Sequence, residues 1–142
     1  MSKVNWSRVV LGGLVAGLVF NVVDYLMNML FAGPWAEAMK ALGKSAQMSP
    51  GVIAWFVVSD FLMGIFMLWL YASIRPRYGA GPKTAVIAGV AIWVLGLLIS
   101  ASFVAMDLFP LRLELISNGI GLILMPLGTV AGAAIYKEAA TN

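Results

Sequence analysis

The fold of this chain is decided by the stretch WSRVVLGGLVAGLVFNVVDYLMNMLF, which runs from Trp6 to Phe31. This stretch is longer than the roughly 20 residues that a helix needs to cross about 30 Å of hydrocarbon. Its only charged side chains are those of Arg8 and Asp24. Backbone N–H and C=O groups find no water inside a bilayer, so a segment that crosses one must satisfy them as a helix. The stretch therefore predicts a transmembrane helix.

Three later stretches are also apolar and long enough to span, over residues 51–73, 84–106 and 111–136. Ser49 followed by Pro50 is typical of a helix start, because serine caps free backbone N–H groups and proline fits the first turn. We therefore expect one all-α transmembrane domain over residues 1–142. Its four helices should form an antiparallel bundle, because short connections join consecutive helices.

The composition indicates that a bilayer surrounds these stretches. Hydrophobic residues make up 62% of the chain and charged residues 11%, whereas charged residues reach about 25% in soluble domains. A chain of 142 residues cannot bury so much apolar surface in a water-soluble core. The net charge of +3 lies in residues near the ends of the apolar stretches. We interpret that charge as a topology signal and expect no nucleic-acid partner.

The residue types that are missing exclude many enzyme mechanisms. The sequence has no cysteine and no histidine, which removes thiolate and imidazole metal sites, a cysteine nucleophile and the commonest general base. No nucleophile with a neighbouring base is recognisable either. We therefore expect no enzymatic activity, no metal site and no cofactor.

Lysine and arginine predict an orientation, because short loops rich in these residues favour the cytoplasmic side of a membrane. The two termini and the second connection carry six of them: Lys3, Arg8, Arg75, Arg77, Lys83 and Lys137. The first and third connections carry the other three: Lys40, Lys44 and Arg112. We therefore expect both the N- and C-termini to be cytoplasmic.

The first connection has a helical pattern of its own. Pro34 suits a helix start and Gly43 a helix stop. The apolar side chains between them share one helical face: Trp35, Met39 and Leu42. The pattern predicts a short amphipathic helix over residues 34–43 that lies in the membrane interface, and a partly ordered loop is the alternative.

Glycines mark faces where helices can pack closely. Gly13 and Gly17 stand four residues apart in the first stretch, and Gly128 and Gly132 do so in the fourth. Small residues at this spacing let two helix backbones approach each other in a membrane. We predict helix packing at these four glycines. They can pack within one bundle, or one glycine face can dock a second copy or another subunit of a larger membrane complex.

A polar face continues the glycine face of the first helix. Asn21, Asp24 and Asn28 follow Gly17 at spacings of three and four residues, which places them on one side of a helix. A charged Asp near the centre of a membrane helix costs roughly 2.5–3.5 kcal/mol. These side chains should therefore point into the bundle and away from lipid.

The other three helices offer polar residues at a similar depth. Asp60, Ser100 and Asn118 each fall roughly 9–14 Å below the expected outer surface, as Asp24 does. We call the combined set the polar layer: Asn21, Asp24, Asn28, Asp60, Ser100 and Asn118. Two carboxylates in such a site do not both ionise easily. The layer predicts a ligand or proton site open to the outside, a docking site for a partner, or only a hydrogen-bond network between helices.

Two charged residues at the start of the fourth stretch are expected to lie at the surface. Arg112 is expected to form an ion pair with Glu114 or Asp107. Alternatively, Arg112 guards the mouth of the cavity. Neither carboxylate is assigned to the polar layer.

Two functions follow as hypotheses. The first is a small membrane protein that binds or transports a small polar or cationic ligand, or protons, through the polar layer. The second is a structural or accessory subunit that packs against copies of itself, or within a larger membrane complex, and transports nothing.

Two stretches carry a resemblance that covers nearly the whole chain. They are NWSRVVLGG…PWAEAMKALGK, within residues 5–44, and YASIRPRYGAGPKTAVIAG, over residues 71–89. Their most distinctive part is the Arg-Pro-Arg-Tyr-Gly sequence that begins at Arg75. The chain resembles a family of uncharacterised bacterial inner-membrane proteins with four transmembrane helices. The resemblance implies a bacterial inner (plasma) membrane location and brings no known activity.

Overall fold

Four α-helices make up the computed structural model, which describes residues 4–137. They are α1 (Trp6–Ala41), α2 (Pro50–Tyr78), α3 (Pro82–Ala105) and α4 (Leu111–Ala133). Each of the four is long and apolar enough to cross a membrane, which is consistent with a multi-pass membrane protein. The predictions of an all-α fold and of a bundle of four such helices are confirmed. Lys3, one of the basic residues used to predict the orientation, lies outside the described residues.

Side-chain caps fix where the first two helices begin. The side chain of Asn5 accepts a hydrogen bond from the backbone N–H of Arg8 at 3.3 Å. Ser49 caps α2 in the same way, accepting from the N–H of Val52 at 3.4 Å. These bonds satisfy N–H groups that have no partner within their own helix.

The helices are arranged as a ring in chain order. Among the described residues, α1 contacts α2 and α4, α3 contacts the same two helices, α2 and α4 also touch across the bundle, and α1 does not contact α3. Neighbouring helices run antiparallel, since Gly13 of α1 lies against Ile65 of α2 and the later Gly17 lies against the earlier Phe61. The α1 and α3 helices therefore occupy opposite corners of the bundle.

The helix backbones touch in one half of the bundle, and glycine is the reason. A Cβ atom added to Gly12 would lie 2.6 Å from the carbonyl oxygen of Gly132, so α1 and α4 meet there without any side chain between them. A Cβ on Gly64 would collide with the backbone of Gly13 and would lie 2.6 Å from the nitrogen of Gly17. Larger residues at these positions would force the helices apart.

The buried residues lie almost entirely in that half, which we call the closed half (residues 5–20, 64–92 and 126–136). Every buried residue of the described chain belongs to it, apart from Ala38 and Leu113. Its largest fully buried side chains fill the space between the four helices: Val9, Met67, Leu68, Thr84 and Thr129. The hydroxyl of Thr129 donates to the carbonyl of Met125 at 2.7 Å, so its polarity is satisfied.

Two tyrosines close the end of the closed half. The hydroxyl of Tyr71 accepts a hydrogen bond from the N–H of Gly81 at 3.3 Å. The hydroxyl of Tyr136 accepts one from the N–H of Asn5 at 3.2 Å, and the two rings meet edge to face at 5.8 Å. The guanidinium of Arg75 lies 5.4 Å from the centre of the Tyr136 ring. The beginning of α1, the α2–α3 turn and the residues after α4 are therefore held together.

Another part, which we call the open half (residues 21–60 and 93–122), contains the segment 34–43 for which a short interfacial helix was predicted. This segment is helical and belongs to α1, which continues to Ala41 but bends at Phe31, whose φ and ψ of −114° and 19° are not helical. Its place in the membrane interface stays a prediction. Pro34 has no N–H to donate to the carbonyl of Leu30, which weakens the helix at that point and bends it without ending it. Residues 32–41 are thus the bent end of α1.

Candidate functional site

The open half contains a cavity of about 520 Å³ between α1, α2 and the first turns of α4. Its floor lies where the closed half begins, because Asn21 lines the cavity and is bonded to Gly17 below it. Its polar lining residues are Asn21, Asp24, Tyr25, Asn28, Asp60, Glu114 and Ser117. Its apolar lining residues are Met27, Met29, Phe31, Trp35, Met48, Ile53, Phe56, Val57 and Leu113.

Four of the six residues of the polar layer line this cavity, namely Asn21, Asp24, Asn28 and Asp60. The amide of Asn21 donates to the carbonyl of Gly17 at 2.9 Å and to that of Val57 at 3.3 Å. It thereby joins α1 to α2 at the floor of the cavity. The helical spacing in the sequence placed the three α1 residues on one face, and that face borders the cavity.

The carboxyl groups of Asp24 and Asp60 face the same cavity from neighbouring helices. Two carboxylates that line one cavity repel each other when both are ionised. Within residues 4–137, neither side chain makes a hydrogen bond or a salt bridge to another residue. Asp24 is exposed in the bundle and Asp60 is partly buried, so both can be reached from the cavity. A positive charge between them would offset their repulsion.

The other two residues of the polar layer bind each other outside the cavity. The amide of Asn118 donates to the hydroxyl of Ser100 at 2.8 Å and to the carbonyl of Glu114 at 2.9 Å. The indole N–H of Trp93 donates to the carbonyl of Asn118 at 2.8 Å. These bonds join α3 to α4. A hydrogen-bond network between helices was one of the alternatives predicted for the polar layer. Ser100 and Asn118 fit that alternative.

Glu114 is a site residue that the sequence reasoning missed. It was expected in a surface ion pair, but it lines the cavity and accepts a hydrogen bond from the amide of Asn118 at 3.3 Å. A signal for it was available, because Glu114 precedes Asn118 by four residues and shares its helical face. With Glu114 the cavity has three carboxyl groups, on three helices.

The bent end of α1 forms part of the cavity wall. Phe31 and Trp35 line the cavity, and Trp35 stacks on Phe109 with 5.7 Å between the ring centres and 15° between the planes. Phe109, in the α3–α4 connection, also meets Phe103 of α3 edge to face at 6.2 Å. These ring contacts hold the bent end against the far side of the bundle.

The four glycines predicted for helix packing all lie at contacts inside the bundle. Gly13 and Gly17 face the α2 backbone around Phe61 and Ile65. On α4, Gly128 faces the ring of Phe20 and Gly132 faces Gly12 of α1. Their faces are therefore occupied within one chain.

Comparison of the chain with known protein families, with curated proteins and with solved structures gives no match. The family resemblance and the bacterial origin therefore stay predictions. The function has to be argued from the cavity and its side chains.

Proposed function

We propose that this is a bacterial inner-membrane protein that binds or transports a small polar or cationic ligand, or protons, through the cavity of the open half. The observation that carries the proposal is that Asp24 and Asp60 share one cavity and make no hydrogen bond or salt bridge within residues 4–137. Carboxyl groups in membrane segments are costly and are typically kept where a substrate or proton passes.

A contrast within the same protein supports this function over a purely structural one. Asn118 and Ser100 bind each other and the neighbouring backbone, as groups that only hold helices together do. Asp24 and Asp60 make no such bonds to the residues that the structure describes. If their role were structural, an Asn–Ser pair like that between α3 and α4 would serve without the cost of a charge.

We also propose that both termini are cytoplasmic and that the cavity opens to the outside. Six basic residues lie near the termini and at the adjoining ends of α2 and α3, against three at the opposite end of the bundle, and this supports the orientation. The bent end of α1 would then lie in the outer interface. Glu37 and Lys40 are exposed while Ala38 is buried, so this segment has the two faces that an interfacial helix needs.

The proposal is tested by Asp24→Asn and Asp60→Asn in proteoliposomes. Proton, sodium and tetramethylammonium flux are each measured in the wild type and in both variants. We expect at least one flux in the wild type, and we expect it to fall roughly tenfold or more in each variant, because a charge-assisted interaction is lost. Asp107→Asn is the matched control, since Asp107 lies outside the cavity and its φ of 55° is one that asparagine readily adopts. Equal fluxes in all four proteins would refute transport, and equal fluxes together with no carboxylate-dependent ligand binding would refute the whole proposal.

A second candidate function is that of an accessory subunit in a homo-oligomer or a larger membrane complex. It is favoured by the first two turns of α2, residues 51–58, where every residue is exposed in the isolated bundle and those other than Ile53, Phe56 and Val57 lie outside the cavity lining. Another protein could cover this face in place of lipid. Native mass spectrometry from a mild detergent separates the two, because a subunit would carry partner mass whereas a clean single-chain mass would count against it.

A further inference from the structure

We infer that the ligand of the cavity is an amphipathic organic cation, in which a positively charged nitrogen is attached to an apolar or aromatic group. This inference rests on the proposed function and names its substrate class. Three properties of the cavity lead to it: its size, the sign of its charge and the aromatic character of its wall.

The size fits an organic molecule. At about 520 Å³ the cavity falls within the range of roughly 300–1,000 Å³ that is typical of small-molecule sites. A water molecule occupies only about 30 Å³ of liquid volume, so a single ion with a few waters would leave most of this space unfilled.

The charge selects a cation. Asp24, Asp60 and Glu114 line the cavity, and among the described residues no lysine or arginine does. Their carboxyl groups are nevertheless spread out, since no three acidic side chains within residues 4–137 come together as a group that could hold a metal ion. An anion would be repelled, and a neutral ligand would leave the acidic side chains unmatched.

The wall selects an apolar group next to the charge. Tyr25, Phe31, Trp35 and Phe56 offer aromatic rings on the same cavity as the three carboxyl groups. Aromatic faces attract weakly hydrated cations such as quaternary ammonium groups, and they also contact apolar groups well. The methionines of the lining are unbranched and polarizable, so they can adapt to ligands of different shape. One molecule with both a charged nitrogen and an apolar part satisfies both sides of the cavity.

The test uses benzyltrimethylammonium and its neutral isostere neopentylbenzene, in which carbon replaces the charged nitrogen. Binding of each to the full-length protein in zwitterionic nanodiscs is measured by equilibrium dialysis against empty nanodiscs. We expect saturable binding of the cation and no saturable binding of the isostere. We expect Asp60→Asn to weaken binding roughly tenfold or more, and Trp35→Ala to weaken it roughly two- to thirtyfold.

Matched controls are available for both kinds of contact. Asp107→Asn removes a carboxylate outside the cavity, and Trp55→Ala removes an exposed indole that does not line it, so neither should change the affinity. Tyr25→Leu serves as a second aromatic variant if Trp35→Ala fails to fold, because Tyr25 is 67% exposed and its loss leaves the bundle core intact.

The outcomes separate this inference from the proposed function. If the wild type does not bind benzyltrimethylammonium but Asp24 or Asp60 still controls proton, sodium or tetramethylammonium flux, the inference is wrong and the proposed function stands. Binding that Asp60→Asn and both aromatic variants leave unchanged would also overturn it, because the cation would then bind elsewhere. If the protein shows neither binding of benzyltrimethylammonium nor carboxylate-dependent flux, the inference and the proposed function are both wrong.

Discussion

The closed half and the open half are built from the same four helices, yet only in the closed half do the backbones touch. A Cβ on Gly12, Gly64 or Gly89 would strike the backbone of a neighbouring helix. By contrast, a Cβ on Gly96 or Gly119, in the open half, would meet nothing within 4 Å. Glycine content alone therefore does not bring helices together. Close packing occurs where the glycines of neighbouring helices lie opposite backbone or ring atoms.

The difference between the halves follows from how helices associate in lipid. Because lipid is as apolar as a leucine side chain, burying apolar surface between helices gains little, and close van der Waals contact provides much of the attraction. That contact ends after Phe20 in α1 and before Gly64 in α2. Beyond these residues, in the open half, the helices separate and leave a cavity. Polar side chains that would be costly against lipid occupy the wall of this space. The closed half thus supports the structure, and the open half holds the candidate site.

The largest effect is expected from adding one methyl group in the closed half. Gly64→Ala places a Cβ against the backbone of Gly13 and Gly17, so the α1–α2 contact must open. We expect the free energy of unfolding to fall by about 1–3 kcal/mol. Unfolding in a detergent titration, followed by circular dichroism, measures it.

Gly96→Ala is the matched control for that change. A Cβ on Gly96 meets nothing within 4 Å, and alanine favours a helix over glycine by about 0.5–1 kcal/mol, so stability should rise slightly. Equal effects of the two substitutions would contradict the division of the molecule into a closed and an open half.

A smaller effect is expected from the hydrogen bonds between α3 and α4. Asn118→Ala removes the bond to Ser100 and should lower the free energy of unfolding by about 0.6 kcal/mol, the average for such bonds in membrane proteins. Ser102→Ala is the control, because the Ser102 hydroxyl bonds to the carbonyl of Leu98 in its own helix and to no other residue within 4–137. Ligand or proton flux should stay near the wild-type value in Ser102→Ala, whereas flux in Asn118→Ala reports whether the bond from Asn118 to the Glu114 carboxyl matters for the site. A strong loss of flux in Asn118→Ala would place this residue in the site after all.

The sequence predicted the four helices well but predicted little about how they are arranged. Apolar length identified the helices, and helical spacing identified the cavity face of α1 through Asn21, Asp24 and Asn28. The position of Ser100 and Asn118 along their helices predicted their depth in the membrane. It did not predict whether their side chains point into the cavity or toward the neighbouring helix. Since α1 and α3 do not touch, residues at one depth fall into two separate groups. Hydropathy carries no information about which helices are neighbours, so this separation could not be predicted.

Pro34 shows a second limit of the sequence. Proline suits both the first turn of a new helix and a bend within an existing one. The kink at Phe31 sets off a helical segment after it, so the predicted segment is present as the bent end of α1. The direction in which this segment runs depends on contacts far along the chain, such as the stacking of Trp35 on Phe109, which a local pattern does not contain.

Our central claim, that the cavity of the open half is a ligand or proton site, requires that water can enter this cavity, unlike the packed core. Because the sequence has no cysteine, single cysteines can be introduced and their reaction with a membrane-impermeant maleimide followed from outside intact cells. We predict fast labelling of Ser117→Cys in the cavity wall. We predict little labelling of Thr129→Cys, which is fully buried, or of Leu122→Cys, which is exposed within a membrane-spanning helix but does not line the cavity. Labelling of Ser117→Cys that is as slow as that of the other two would contradict the claim.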